Sequence, residues 1–448
     1  MTRDDILNAA FKVWGRELYK TTSLAKLAQT LGVSKPALYR HFPDKEALLA
    51  AMYTSFYDDY AKIVKQAVEE ALKSGGPADG PVWRERLLVI VRSVTAYFAQ
   101  RFDHFIYALI NIHQKLADKK DHRHLKDRPL FFEDEFAKRG ICFADLAEGI
   151  PPGRHYQINA RYPSILFMVG LTTLHGMALF HKRRRREGET GIVPCFPPGG
   201  ESSEEEILSF AGSMVERVRL GLHFERAAIE NLPYARLEGL INPDVPAPDA
   251  LLRAVAEVVA ETGPWNASME MVAKRSGLSK SGLYFRFKSK QDMLARLFME
   301  EFDRIAKITT SHIQLASAKE EQLYLAILST AAYLHSRPEI LIALDWIGIQ
   351  RLELDISVPP SLRDFFEGLN LSGPPLGEFR EGGGGEREQK DISQWILFLL
   401  IAILIRCLRY QNGHPPQEGD AAGLDYGGLR KLFRFITLGI EGFDEENP

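Results

Sequence analysis

The chain has 448 residues, 45% of them hydrophobic and 26% charged, with a formal net charge of −3. That balance excludes disordered and fibrous classes, and the length calls for about two to four domains at ~100–200 residues each. The net charge does not decide for or against a nucleic-acid partner, because what matters there is where the charge sits.

Residues 1–50 carry eight basic side chains against five acidic ones, and residues 246–295 carry seven against five. Both windows are basic within an acidic whole. The N-terminus, Met1 to Asp5, passes straight into an amphipathic pattern without the charged-then-apolar layout of a signal peptide, so a cytoplasmic protein is expected. Ile6, Leu7, Ala10, Phe11, Val13 and Trp14 recur at helical spacing and predict a first helix with an apolar stripe. Thr22 or Ser23 can cap a second helix carrying Leu24, Leu27, Ala28 and Leu31, which stops at Gly32. Ser34 can cap a short helix, Lys35 to His41. Its Leu38, with Phe42, faces inward and leaves Lys35, Pro36, Ala37, Tyr39, Arg40 and His41 outside. Asp44 can cap the next helix, which begins at Lys45.

Helix, tight turn and short helix make a helix-turn-helix unit. In that arrangement the second helix enters the DNA major groove with its N-terminal residues at base edges while the first braces the backbone. Small residues at the front of the second helix permit close approach. Lys45 is placed as a phosphate contact, which positions the protein without specifying sequence.

From Arg84 to Leu116 apolar residues recur at helical period. Trp83, Phe98, Phe102, Phe105, Tyr107, Phe167 and Met168 fit either a core stripe or the lining of a ligand cavity. Histidines at positions 104, 113, 122, 124, 155, 175, 181 and 223 show no ligand set of fixed spacing, so no metal is expected. Cys142, Cys195 and Cys407 form no Cys-x-x-Cys pair, which fits a reducing compartment. The basic run Lys182 to Arg186 follows a helix expected over Ser164 to Phe180 and complements its negative end. A further helix is expected over Ile207 to Phe224.

The Pro-rich segment Pro233 to Pro248 reads as a linker. From Phe224 to Asp249 it could reach roughly 80 Å if extended at ~3.3 Å per residue. Beyond it the first pattern returns at a constant offset of 245, without a gap. Of the 28 pairs from Thr22/Ala267 to Leu49/Leu294, ten are identical, among them Gly32/Gly277, Ser34/Ser279, Lys35/Lys280, Tyr39/Tyr284 and Lys45/Lys290. Leu251, Leu252, Val255, Val258 and Val259 repeat the first stripe. Behind the Ser279 cap, Lys280, Ser281, Gly282, Tyr284, Phe285 and Arg286 face outward, and Lys290 follows Ser289. Farther on, Tyr333 and Arg337 parallel Tyr97 and Arg101, and Leu438-Gly439-Ile440 parallels Leu220-Gly221-Leu222.

From Glu320 to Leu354 the period is again helical. The apolar run Trp395 to Ile405 has eleven residues where a membrane span needs about 20, so a buried helix rather than a membrane segment is expected. Helices are expected over Trp395 to Leu408 and Leu429 to Ile440. No Gly-x-Ser-x-Gly elbow, phosphate-binding Gly-rich loop or His-Glu-x-x-His helix points to catalysis, and no cofactor is expected.

Thr22-Ser23, Leu27-Ala28, Gly32-Val33-Ser34-Lys35, Leu38-Tyr39-Arg40-His41-Phe42 and Lys45 closely resemble the N-terminal signature of the TetR family, about 50 residues that occur twice. The resemblance implies phosphate contacts by Tyr39 and Lys45, base-edge positions for Lys35, Pro36 and Arg40, and downstream helices for effector binding and dimerisation. The second copy departs from the pattern: Ala267 replaces the hydroxyl of Thr22, Gly282 lies inside the short helix, and Phe285-Arg286 stands where Arg40-His41 stood.

The resulting expectation is an all-α chain of two tandem units. Helix-turn-helix domains span 1–65 and 249–310, helical effector and dimerisation domains span 80–230 and 318–448, and a linker spans 231–248. Its partners would be a double-stranded DNA operator with unlike half-sites and an apolar small-molecule effector. The two bodies would pair within one chain as a pseudo-dimer through a four-helix seam. The alternative is a protein-interaction module whose second DNA reader is degenerate.

Overall fold

The structure is a computed structural model, and it describes residues 2–16, 23–30, 32–73, 82–108, 133–141, 154–183, 203–241, 249–262, 266–350, 369, 371–374, 384–411 and 424–443. Among the described residues every regular element is helical, as the residue periodicity requires. Contacts divide the chain into two compact units. The first comprises residues 1–115, 127–215 and 376–378, the second 116–126, 216–375 and 379–448.

In the first unit, helices Arg3–Arg16, Leu24–Thr30 and Lys35–Tyr39 pack in succession, and the first also packs on the long helix Lys45–Lys73. That long helix starts where the Asp44 carboxylate accepts the Ala47 amide at 2.7 Å. It buries Leu48, Met52, Phe56, Tyr60, Val64, Ala67 and Ala71, spaced by threes and fours, and packs on the helix Val82–Gln100. The latter also packs on Arg154–Arg183, where sequence had placed a helix over 164–180. The helix runs through Pro163 instead of beginning after it. Among the described residues, one stretch, Ser164–His181, is long and apolar enough to cross a membrane, and 67% of it is buried as a core helix is.

In the second unit the corresponding helices are Ala250–Thr262, Met269–Arg275, Lys280–Arg286 and Lys290–Ile313, followed by Lys319–His335 and Pro338–Gln350. From Leu323 to Leu334 every residue of Lys319–His335 is buried, so this helix is the axis of the unit. A helix apolar on all sides must be covered on all sides. It packs on Lys290–Ile313, Tyr234–Glu238, Gly384–Gln411 and Tyr426–Leu438. The apolar run Trp395 to Ile405 lies within Gly384–Gln411, with Trp395 and Ile396 fully buried. That helix begins eleven residues before the expected Trp395, because Glu386 to Lys390 are good helix formers.

Within the expected linker, the described residues 231–241 include a helical turn. Pro233 caps a helical turn, Tyr234–Glu238, which buries Leu237 and is held into the second unit by Glu238. Glu238 accepts the Tyr324 hydroxyl at 2.7 Å and a forked pair of bonds from Arg430 at 2.7 and 2.6 Å. Proline breaks a helix only from within; at the entry its fixed φ suits the first turn. The extended reach of ~80 Å therefore does not apply, since Arg226–Glu230 is helical as well.

The helix expected to run to Phe224 ends at Leu220, because Gly221 and His223 both take φ of 59°. Gly221 and Gly439 occupy equivalent places in the two copies, and both have left-handed φ. They meet inside the second unit, where a Cβ added to either would come within 2.6 Å of the other's amide nitrogen. Beside them the Leu222 amide donates to the Ile436 carbonyl at 2.8 Å and the Phe224 amide to that of Thr437 at 3.0 Å.

Candidate nucleic-acid interface

The first reader is built as its sequence dictates. Gly32 turns the chain at φ 65°, the Ser34 hydroxyl accepts the Ala37 amide at 3.4 Å, and Pro36 sits in the first turn, where a missing amide costs nothing. Leu38 and Phe42 are fully buried, and this fixes the rotation of the short helix. Lys35, Pro36, Tyr39, Arg40 and His41 are consequently exposed and Ala37 is half-buried. The helix closes at Tyr39 rather than His41, its last turn tightened by a His41 amide to Leu38 carbonyl bond of 3.0 Å. Lys45 follows at the N-terminus of the long helix, half-buried. Thr22 lies outside the described residues.

The second reader repeats this frame. Gly277 turns at φ 71°, and Ser268, Ser279 and Ser289 each cap a helix by accepting the amides of Met271, Gly282 and Asp292 at 3.3, 2.9 and 3.1 Å. Leu283 is fully buried. Tyr39 and Tyr284 are both 47% exposed, so the shared position is equally available in the two copies. Ser281, Tyr284, Phe285 and Arg286 are exposed, Gly282 is half-buried, and Phe285 reaches 92% exposure.

The electrostatics of the two readers differ. Lys280 is bound to Glu270 at 3.0 Å, and Arg275 is held by Glu257 at 3.0 Å and by Glu261. The first copy has Lys12, Arg16 and Ala25 at the places of Glu257, Glu261 and Glu270, and Lys35 makes no ion pair among the described residues. Burial pulls the Lys290 ammonium down to about 8. Lys280 and Arg275 of the second reader are thus engaged by its own carboxylates, whereas Lys35 and Arg40 of the first are exposed.

Behind each reader, the helix that starts at the candidate phosphate-contact lysine is tied to the body by a different device. In the second unit Glu301, on Lys290–Ile313, accepts from Arg337 at 3.0 Å, from the Tyr333 hydroxyl at 2.7 Å and from Arg304 at 2.6 Å. Phe56 stands at the equivalent place in the first, where it packs on His104 with ring centroids 5.7 Å apart. The paired residues Tyr97 and Arg101 turn to His104 instead. Arg101 only donates, so the His104 Nε2, 2.5 Å away, accepts and its Nδ1–H points to the Tyr97 hydroxyl. Burial, with help from the Arg101 charge and against Asp103, lowers the His104 pKa to about 4. Sequence reasoning paired Tyr97 and Arg101 with Tyr333 and Arg337 but gave Glu301 no role and weighed His104 only as a metal ligand, since the two carry no shared signal.

The model for bacterial regulatory proteins of the tetR family matches residues 6–52 and again residues 251–297. The HTH-type transcriptional regulator YuxN of Bacillus subtilis is 30% identical over 90 residues, 20% of this chain and 29% of YuxN. The fatty acid metabolism regulator protein of the same organism is 26% identical over 136 residues, covering 30% of this chain and 70% of that protein. The HTH-type transcriptional repressor ComR of Escherichia coli is 37% identical over 59 residues, 13% of this chain and 28% of ComR. Most of the length of YuxN and ComR thus lies outside the match. Among solved structures, FadR from Bacillus halodurans aligns over 44% of this chain and 97% of its own, at 18% identity and a TM-score of 0.28. FadR from Bacillus subtilis in complex with stearoyl-CoA aligns over 43% and 98%, at 19% and 0.30.

Proposed function

We propose that this chain, which belongs to the tetR family of bacterial regulatory proteins through both of its helix-turn-helix segments, is a sequence-specific DNA-binding transcription repressor that responds to a ligand. The observation that carries the reading is the doubled helix-turn-helix frame: the same serine caps, the same positive-φ glycine turn and the same 47% exposed tyrosine, 245 residues apart. In each copy the short helix enters the major groove. Lys35, Pro36, Ala37, Arg40 and His41 lie at base edges in one half-site, and Lys280, Ser281, Gly282, Phe285 and Arg286 in the other. Tyr39, Tyr284, Lys45 and Lys290 hold phosphates, with Ser34, Ser279 and Thr22 at the helix entries. Because these two sets of residues differ, the operator has two unlike half-sites.

The chain acts as its own dimer, with domains at 1–65, 80–230, 249–310 and 318–448. The meeting of Gly221 with Gly439 supports this, since a two-fold interface brings equivalent residues together. The effector is a mostly apolar small molecule held in a helical body, a reading supported by the likeness to a regulator of fatty acid metabolism.

The test is a gel shift against the DNA upstream of the chain's own gene at two salt concentrations. The reading requires a shift that survives unrelated competitor DNA at both. Binding without sequence preference that vanishes steeply with salt would instead mark phosphate contact alone. Solution scattering with two independently tumbling lobes would overturn the pseudo-dimer.

A further inference from the structure

Phe285 is 92% exposed on a reader helix whose other large apolar residue, Leu283, is fully buried. An aromatic ring in that position forgoes the stabilisation that burial would give it. It occupies the register position of Arg40. One turn earlier on the same helix stand Ser281 and Gly282, both small, and Gly282 presents no side chain at all. The lysine at the head of the helix, Lys280, is engaged by Glu270 at 3.0 Å. At this one register position the second reader therefore offers a groove edge an apolar ring flanked by small residues, where the first offers a guanidinium.

The major groove carries one apolar feature that distinguishes a base, the C5 methyl of thymine, and an apolar side chain reads it by contact. Arginine at the same register favours the paired acceptors of guanine. We infer that Phe285 determines the specificity of the second reader and selects a thymine through its methyl group. This deepens the DNA-reading proposal above and rests on it. The two half-sites then differ in chemical kind, guanine recognised by hydrogen bonds in one and a thymine methyl by contact in the other.

The test uses the full chain and a duplex enriched by it from random sequence. The second half-site is the half whose base preference survives Arg40→Ala. Each thymine there is replaced singly by deoxyuridine, which removes the methyl and nothing else. At one or two positions the replacement should weaken wild-type binding about fourfold, the value of one buried methyl or methylene group. Phe285→Ala should bind the thymine and uracil duplexes alike, while Phe285→Leu should keep part of the discrimination. Since Phe285 is exposed, Phe285→Ala should melt as the wild type does, which separates lost recognition from lost folding. If uracil costs the wild type and Phe285→Ala equally, or costs neither, Phe285 is not the reader and this inference alone is overturned. If the wild type enriches no sequence at all, the DNA-reading proposal falls and takes this one with it.

Discussion

Gly221 and Gly439 sit back to back at the ends of the helices Glu204–Leu220 and Tyr426–Leu438, each with left-handed φ and each with its Cα hydrogen aimed at the other's backbone nitrogen. No L side chain fits either place, for reasons of both conformation and room. Gly32 and Gly277 share the positive φ but have no heavy atom within 4 Å of an added Cβ. Gly32→Ala and Gly277→Ala should therefore lose only about 1–2 kcal/mol of stability, the cost of left-handed φ alone. Gly221→Ala and Gly439→Ala should each lose more than about 4 kcal/mol, the range reserved for overlap and strain. Urea unfolding of the four variants checks this, and equal losses across the set would contradict it.

Glu301 and Arg337 are both 2% exposed and joined at 3.0 Å. Removing either partner leaves the other a buried charge that is less well compensated, with Arg304 at 2.6 Å beside Glu301 or Glu339 at 4.0 Å beside Arg337. Glu301→Leu or Arg337→Met alone should lose about 3–5 kcal/mol, and the two together should recover most of that. A double-mutant cycle by thermal unfolding measures the coupling, which additive losses would refute.

His104 is buried and neutral, with its folded pKa near 4 against an ordinary value of 6.5. The unfolded chain takes up this proton first, so the contribution of His104 is present above pH 6.5. It is lost as pH falls from 6.5 toward 4 and levels off below. In His104→Gln the unfolding midpoint should depend less steeply on pH across that window. An unchanged slope would assign the acid sensitivity elsewhere.

Lys290 gives a signature of the same sign in a more alkaline window. Its folded pKa of about 8 lies below the ordinary 10.5, so the unfolded chain holds the proton more tightly. Stability from this group rises as pH goes from 8 to 10.5, while its contact with a phosphate, which needs the charge, weakens as pH passes through about 8. Operator affinity should drop between pH 7 and 9, and Lys290→Arg, always charged, should flatten that drop. Fluorescence anisotropy across the pH range reads both.

The first reader separates positioning from specificity. Lys45→Ala should weaken binding to all sequences alike and reduce the slope of affinity against salt by about one phosphate contact. Arg40→Ala should relax preference in one half-site only, by about 1–3 kcal/mol of discrimination. Random-site selection with each variant distinguishes the two, and a perfect palindrome from the wild type would refute unlike readers.

The readers were legible in the sequence because their determinants are local. A serine cap, a glycine turn and inward Leu38 or Leu283 fix a short helix within about twenty residues, and the exposed set follows from that rotation. Helix ends were misjudged for two reasons: the helix formers Glu386 to Lys390 carry one helix back beyond its apolar run, and contacts of Glu238 with distant residues hold the turn at Tyr234. Only the tertiary structure decided that Gly221 meets Gly439, that Glu238 draws the expected linker into the second unit, and that Glu301 and His104 do one job with unlike chemistry. Those relations join residues far apart in the chain. Whether they form depends on which faces of separate helices come together, and a pattern of spacing along one helix does not encode that.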